Sequence, residues 1–186
     1  MLEEYPRKII LSDSTECFFR VASSSDRDLI AGFFSRVSPD DLWAMKRDYT
    51  SGEAVDFYLQ CLNPAENFIL LALVGEAVAG IGSLHFSPFG ARRHIGDIEI
   101  VIVDEYKKRR LGTWLLLDLA AVAAEKGLEI LKIELMAGKD DAAIVSAKRV
   151  NFIPQATLTN YLQDRSGRWA DMVILVKEIR ETWSEY

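Results

Sequence analysis

The chain has 186 residues, 49% of them hydrophobic and 27% charged. Those proportions suit a globular protein with a single sizeable core. A formal net charge of −6 and a pI of about 5.0 argue against broad nucleic-acid or membrane-surface binding, which needs an extended basic face.

Two cysteines, Cys17 and Cys61, are too few for a disulfide framework and read as reduced, in a cytoplasmic protein. Only two histidines are present, so no metal cluster is expected. The opening MLEEYPRKIILSDS has early acids and no long apolar run, unlike a signal peptide. The run LLLDLAAVAA is interrupted by Asp118 and too short to span a bilayer. No repeat or linker divides the chain, so residues 1–186 are expected to form one domain.

In chain order, CFFRVAS at 17–23 reads as a strand. SSSDRDLIAGFFSRV follows with serine caps and apolar residues at helical spacing. SPDDLWAMKRDY is a second helix start, with Ser38 as cap and Pro39 in the first turn. GEAVDFYLQCL is a third short helix. NFILLALV at 67–74 and VAGIGSLHFS form a hairpin about the turn GEA. DIEIVIVD at 97–104 is a strand, and LGTWLLLDLAAVAAEKG a helix ending at Lys126 and Gly127. LEILKIELM is a strand, KDDAAIVSAKRVNF a helix, and ATLTNYLQ with WADMVILVKEI a closing hairpin. The order predicts a mixed α/β sheet with helices on both faces.

The stretch YKKRRLG sets four cations between strand 97–104 and the helix starting near Leu111. The first amides of a helix lack internal partners and carry the positive end of its dipole. Gly112 permits close approach, Thr113 adds a hydroxyl, and Lys107, Lys108, Arg109 and Arg110 add charge. These are the ingredients of a pyrophosphate cradle, the plain alternative being a solvated loop. Neither the G-x-x-x-x-G-K-[ST] nor the G-x-G-x-x-G motif is present.

Asp97 and Glu99 lie two apart on their strand and share a face, opposite Ile98, Ile100 and Ile102. Carboxylates on a central strand are anomalous unless that face opens into a cleft. The bland reading is a solvent-facing strand end. Arg92, Arg93 and His94 read as a solvated loop or as contacts to an acidic substrate or phosphate. Trp43 and Met45 read as core or as an acceptor groove, and Trp114 with Asp118 as a partly exposed helix face.

The YKKRRLG stretch resembles the Q/R-x-x-G-x-G/A signature of the GCN5-related N-acetyltransferases (GNAT family), with register set by Leu111–Gly112–Thr113. Lys107 falls at the Gln/Arg position, Gly112 at the final glycine, and Arg110 where the first glycine is usual. KDDAAIVSAKRVNF is similar to the family's later helix N-x-x-A-x-x-x-Y-x-x-x-G-F: Asp140 stands at Asn, Ala143 at Ala, Ala147 at Tyr, Asn151 at Gly and Phe152 at Phe. The resemblance covers roughly residues 15–180 and implies a mostly antiparallel sheet of about seven strands. It implies acetyl-CoA as co-substrate and transfer of acetyl to a primary amine by direct attack, without a metal. The amides and carbonyls near Ile102 and Val103 would hold the pantetheine arm. Residues 107–113, with Lys107, Lys108, Arg109, Arg110, Leu111, Gly112 and Thr113, would hold the pyrophosphate, and Asp140 would belong to the coenzyme site. Asp97 or Glu99 would be the base. The usual tyrosine acid is replaced by Ala147, with Tyr161 a substitute. Within the family the worn helix motif resembles domains that acetylate protein lysines, and a small-molecule amine is an equal alternative. A homodimer is compatible with the resemblance, and so is a non-catalytic acyl-CoA-binding regulatory domain.

Overall fold

A computed structural model describes residues 5–46, 48–49, 51–60 and 65–179. They form one eight-stranded sheet in the order β1-β2-β3-β4-β5-β6-β8-β7. The strands are β1 (Arg7–Ile10), β2 (Glu16–Val21), β3 (Asn67–Val74), β4 (Ala77–Phe86), β5 (Ile95–Ile102), β6 (Ile130–Met136), β7 (Ile153–Gln163) and β8 (Trp169–Glu178). The helices are α1 (Arg27–Phe34), α2 (Pro39–Ala44), α3 (Gly52–Gln60), α4 (Leu111–Glu125) and α5 (Asp141–Arg149). All pairings are antiparallel except β5 with β6. The mixed, mostly antiparallel sheet is as expected, with one strand more than expected. The extra strand is β1, whose side chains alternate between partly exposed and buried; its short apolar signal becomes a strand only through pairing with β2.

The continuous apolar run in β3 is explained by burial on both faces. Phe68, Leu70 and Ala72 join the cluster under α4 and α5, with Leu84, Ile98, Leu115, Leu119 and Phe152. Ile69 and Leu71 join the opposite cluster, with Ile30, Phe33 and Phe34 of α1 and Val55 and Tyr58 of α3. α4 lies against β4 and β5, and α1 against β4. Gly96 lets the layers close, because a Cβ there would stand 2.7 Å from Leu84 Cδ1 and 3.0 Å from both Leu128 and Leu131 side chains.

Local signals behave as their chemistry demands. Ser38 Oγ accepts from Asp41 N at the start of α2, with Pro39 in the first turn. Pro154 sits in β7, an edge strand, at a register shift, where a missing amide is tolerated. One expectation changes, and one about the cysteines holds. Asp118 is not exposed beside Trp114: it is 1% exposed, and its carboxylate accepts from Arg7 Nη1 at 2.8 Å and from the Tyr5 hydroxyl at 3.2 Å. Cys17 is fully buried, and burial pushes its thiol up to about 12. Cys61 lies outside the described residues.

Candidate active site

β5 and β6 pair in parallel at Ile95↔Ile130, Gly96↔Leu131 and Asp97↔Lys132, and no further. β5 stays with β4 as far as Ile102↔Gly80, while β6 stays with β8 as far as Met136↔Met172. The sheet therefore forks just past Asp97. Val103 N–H donates to Ala79 O at 3.1 Å and Val103 O accepts from Tyr106 N at 2.9 Å. Antiparallel pairs alternate, so the backbone groups of Ile100 and Ile102 turn away from β4, into the fork. Of the two residues expected to offer backbone groups, Ile102 faces the opening and Val103 is spent within the chain.

The two carboxylates meet at this fork, on the α1 and α3 side of the sheet. Asp97 is flanked by His85 of β4 and Lys132 of β6, and its buried Oδ1 lies 2.9 Å from Lys132 Nζ at an angle outside hydrogen-bond geometry. Lys132 also binds Glu134 at 2.8 Å, and Glu134 reaches Lys46 at 3.0 Å. Burial works to lower the Lys132 pKa, but the carboxylates of Glu134 and Asp97 beside it outweigh burial and raise it. Burial works to raise Glu134, and Lys132 and Lys46 overcome it. Glu99 is one alternation further on, past the last β5–β6 pair, and its Oε1 accepts from Lys46 N at 3.4 Å. Behind the carboxylates, His85 bridges Asn67 Oδ1 at 2.5 Å and Ser83 Oγ at 3.1 Å.

The junction between β5 and α4 has the backbone of a cradle. Arg110, the residue before α4, has φ 66° and ψ 7°, the left-handed region, and Lys108 has φ 59°. The first helical bond runs from Trp114 N to Arg110 O at 3.1 Å, so the amides of Leu111, Gly112 and Thr113 point out of the helix end. Leu111's side chain is buried in the core, and only its amide faces the junction. A Cβ on Gly112 would meet Ile102 Cδ1 at 3.3 Å, which ties the cradle to the last residue of β5. The four cations divide. Lys107 pairs with Asp41 and Asp104. Arg109 pairs with Asp13 at 2.6 Å and covers the Tyr106 ring at 5.2 Å. Lys108 and Arg110 are exposed, with no carboxylate partner among the described residues. The left-handed backbone, outward amides and two uncommitted cations suit a diphosphate.

A strap formed by residues 38–46 crosses the fork. Asp41 of α2 accepts from Lys107, beyond β5, and from Lys139, beyond β6, the latter at 2.8 Å. Burial works to raise the Asp41 carboxyl, but hydrogen bonds from Lys107, Lys139 and Ser38 prevail and hold it at about 2. Asp40 pairs with Arg165 at 3.4 Å, and the Trp43 indole N–H donates to Gln163 O at 2.8 Å. Trp43 is otherwise exposed, while Met45 packs against the α1 and α3 cluster.

Other expected residues fall elsewhere. Asp140 precedes α5 and accepts from Met136 N at 2.9 Å and Lys139 Nζ at 2.9 Å. Ala147 is buried in the core. Tyr161 is exposed on edge strand β7, with β8 between it and β6. Arg93 and His94 line a cavity of about 440 Å³ with Lys126 and Glu129, at the far end of α4 from the cradle. Sequence reasoning missed Lys132, Glu134, His85 and Asp41. The first two had a signal, since Lys132 and Glu134 alternate with Leu131, Ile133 and Leu135 as polar residues in a central strand. Among the described residues no cluster of metal-ligating side chains occurs, and no helix is long and apolar enough to cross a membrane.

Residues 16–152 match the model of the Acetyltransferase (GNAT) family. No curated protein matches the chain. Among solved structures, a GNAT-family acetyltransferase from Streptococcus pneumoniae superposes with TM-score 0.77 at 23% identity, covering 88% of this chain and 99% of that one. The yncA protein of Salmonella typhimurium, solved with its cofactor acetyl-CoA, gives 0.76 at 17% identity, with 90% and 96% covered. A ribosomal-protein-alanine N-acetyltransferase from Brucella melitensis gives 0.73 at 23%, with 87% and 99% covered. These likenesses confirm the fold, and the family match over most of the chain establishes membership: this chain belongs to the GNAT family of acetyltransferases.

Proposed function

We propose that this chain, as one domain, transfers acetyl from acetyl-CoA to a primary amine by direct attack on the thioester. The observation that carries the reading is the fork past Asp97, which brings a carboxylate pair, strand backbone groups and the amides of α4 together. Exposed Lys108 and Arg110 and the amides of residues 110–113 would hold the diphosphate. Backbone groups of Ile100 and Ile102 would align the pantetheine arm. An amine is mostly protonated near neutral pH, so a base must take its proton, and we assign this to Glu99. Asp97 would hold Lys132 and shape the entrance. Glu99 takes the ammonium proton and passes it to solvent; the neutral nitrogen then forms the new C–N bond as the C–S bond breaks, and the second nitrogen proton leaves to Glu99. With no hydroxyl at position 147, the departing thiolate would take a proton from solvent. Fixing the amine beside the thioester supplies much of the rate.

The buried Ala147 favours a second reading, a domain that binds acyl-CoA without turning it over. Release of free thiol from acetyl-CoA, followed with a panel of free amines and lysine peptides, separates the two. Amine-dependent release is expected. Calorimetric binding of acetyl-CoA without release from any amine would establish the second reading, and absence of binding would overturn both.

A further inference from the structure

Lys46 bridges the two rims of the fork. The last β5–β6 pair is Asp97↔Lys132, so Glu99 and Glu134, each two residues further on, stand level on opposite rims and on the same sheet face. α2 stops at Ala44, and Met45 is extended, with φ −71° and ψ 151°. The chain turns out of the helix there and lays Lys46 between the rims. Its backbone N–H donates to Glu99 Oε1 at 3.4 Å, and its ammonium pairs with Glu134 Oε2 at 3.0 Å.

A pantetheine arm that starts from the cradle beside Ile102 and follows Ile102 and Ile100 along β5 reaches Glu99 next. Its thioester then arrives between the rims, where the Lys46 amine already stands. A second lysine borders the fork. Lys132 is at the closed end, with Asp97 at 2.9 Å and Glu134 at 2.8 Å. These two carboxylates keep its pKa raised against burial, and so keep its nitrogen protonated and without a lone pair. Lys46 Nζ has one carboxylate beside it among the described residues, and half of its side chain is exposed.

We propose that Lys46 is a self-acetylation site, taking acetyl from the coenzyme bound to its own chain. The inference rests on the acetyltransferase reading and gives that site an internal acceptor. Glu99 takes one proton from the Lys46 ammonium and passes it to solvent. The neutral nitrogen attacks the thioester carbonyl. The C–N bond forms, the C–S bond breaks, the second nitrogen proton leaves to Glu99, and the thiolate takes a proton from solvent. The product amide carries no charge, so the pair with Glu134 is lost and the side chain is released from β6. The strap then keeps Asp41 and Trp43 as its anchors.

The test incubates the purified protein with acetyl-CoA and no added amine, and follows each lysine by peptide mass spectrometry. Lys8 is the internal control for uncatalysed acetylation by the thioester. Its side chain is 48% exposed against 50% for Lys46, and it likewise pairs with one carboxylate, Glu16. It lies on edge strand β1, away from the fork. Lys46 should be acetylated about a hundredfold faster than Lys8, the low end of general-base catalysis. Its first-order rate constant should not change when the protein is diluted. Thiol release should show a burst no larger than the protein concentration, and Lys46→Arg, which keeps the cation, should remove that burst. Equal rates at Lys46 and Lys8, or a Lys46 rate constant that falls on dilution, would overturn the proposal. An unmodified Lys46 beside thiol release from added amines would overturn it and leave the acetyltransferase reading standing. Neither modification nor release from any amine would remove both.

Discussion

Arg110 occupies the left-handed backbone that glycine adopts freely. The motif tolerates the substitution because an amide, not a side chain, is what the helix end presents, and the guanidinium adds charge beside it. A non-glycine residue there stores of order 1–3 kcal/mol of strain, part of it offset because glycine loses more freedom on folding. Arg110→Gly is therefore expected to stabilise the fold by about 1 kcal/mol in urea denaturation. The same variant should bind acetyl-CoA more weakly and with a shallower salt dependence, since one cation is gone. The carboxylates divide by their neighbours. Asp97 faces Lys132, whereas Glu99 lies past the last β5–β6 pair and accepts from Lys46 N. Glu99→Gln should lower kcat by about 10²–10⁴, the span of general-base catalysis. Asp97→Asn should lower it by less than about tenfold and act mainly on the amine KM. Unchanged turnover in both variants would remove the carboxylate base from the mechanism.

Among the elements, α2 does more than its six residues suggest. Its cap was legible, because Ser38, Pro39 and two acids make a recognisable helix start. Its ties to Lys107 and Lys139 were not, because charged partners distant in sequence meet only through the fold. Asp41→Asn should weaken both bonds, and the local opening free energy of α2 should fall by about 1–2 kcal/mol, read as faster amide exchange over 39–44. The pH dependence has a definite sign. The Asp41 pKa is depressed from 3.8 to about 2, so its contribution is complete above about pH 4 and lost as pH falls through about 2. The difference in unfolding free energy between wild type and Asp41→Asn should shrink over that window; a difference that grows on acidification would contradict the bond pattern. β5 carries a second constraint. Gly96→Ala would set a methyl 2.7 Å from Leu84 Cδ1, and because the obstacles are side-chain ends the core can shift at about 1–3 kcal/mol, measurable by chemical denaturation.

At the scale of the whole molecule, the order of elements along the chain and the helices on both faces were legible, because β3 to β6 and α4 have strong apolar patterns and short connections. The fork was not, because divergence depends on which strand claims β6 after Lys132, and β8 claims it. The least legible contact joins the edge strand β1 to α4. Asp118 breaks an otherwise apolar helix, and its partner Arg7 is on a strand too short to announce itself. The pair lies 111 positions apart in sequence and ties β1 to α4. The Asp118 side chain is 2% exposed and that of Arg7 37%, so removing the arginine leaves a buried carboxylate with the Tyr5 hydroxyl and without its cation. Arg7→Met should therefore destabilise the fold by about 2–4 kcal/mol, below the full figure for a wholly buried pair because solvent reaches the arginine. Asp118→Leu in that background removes the stranded charge and should recover most of the loss. A double variant no more stable than Arg7→Met would mean that Asp118 holds β1 through Tyr5 and its other contacts, and that the ion pair itself contributes little.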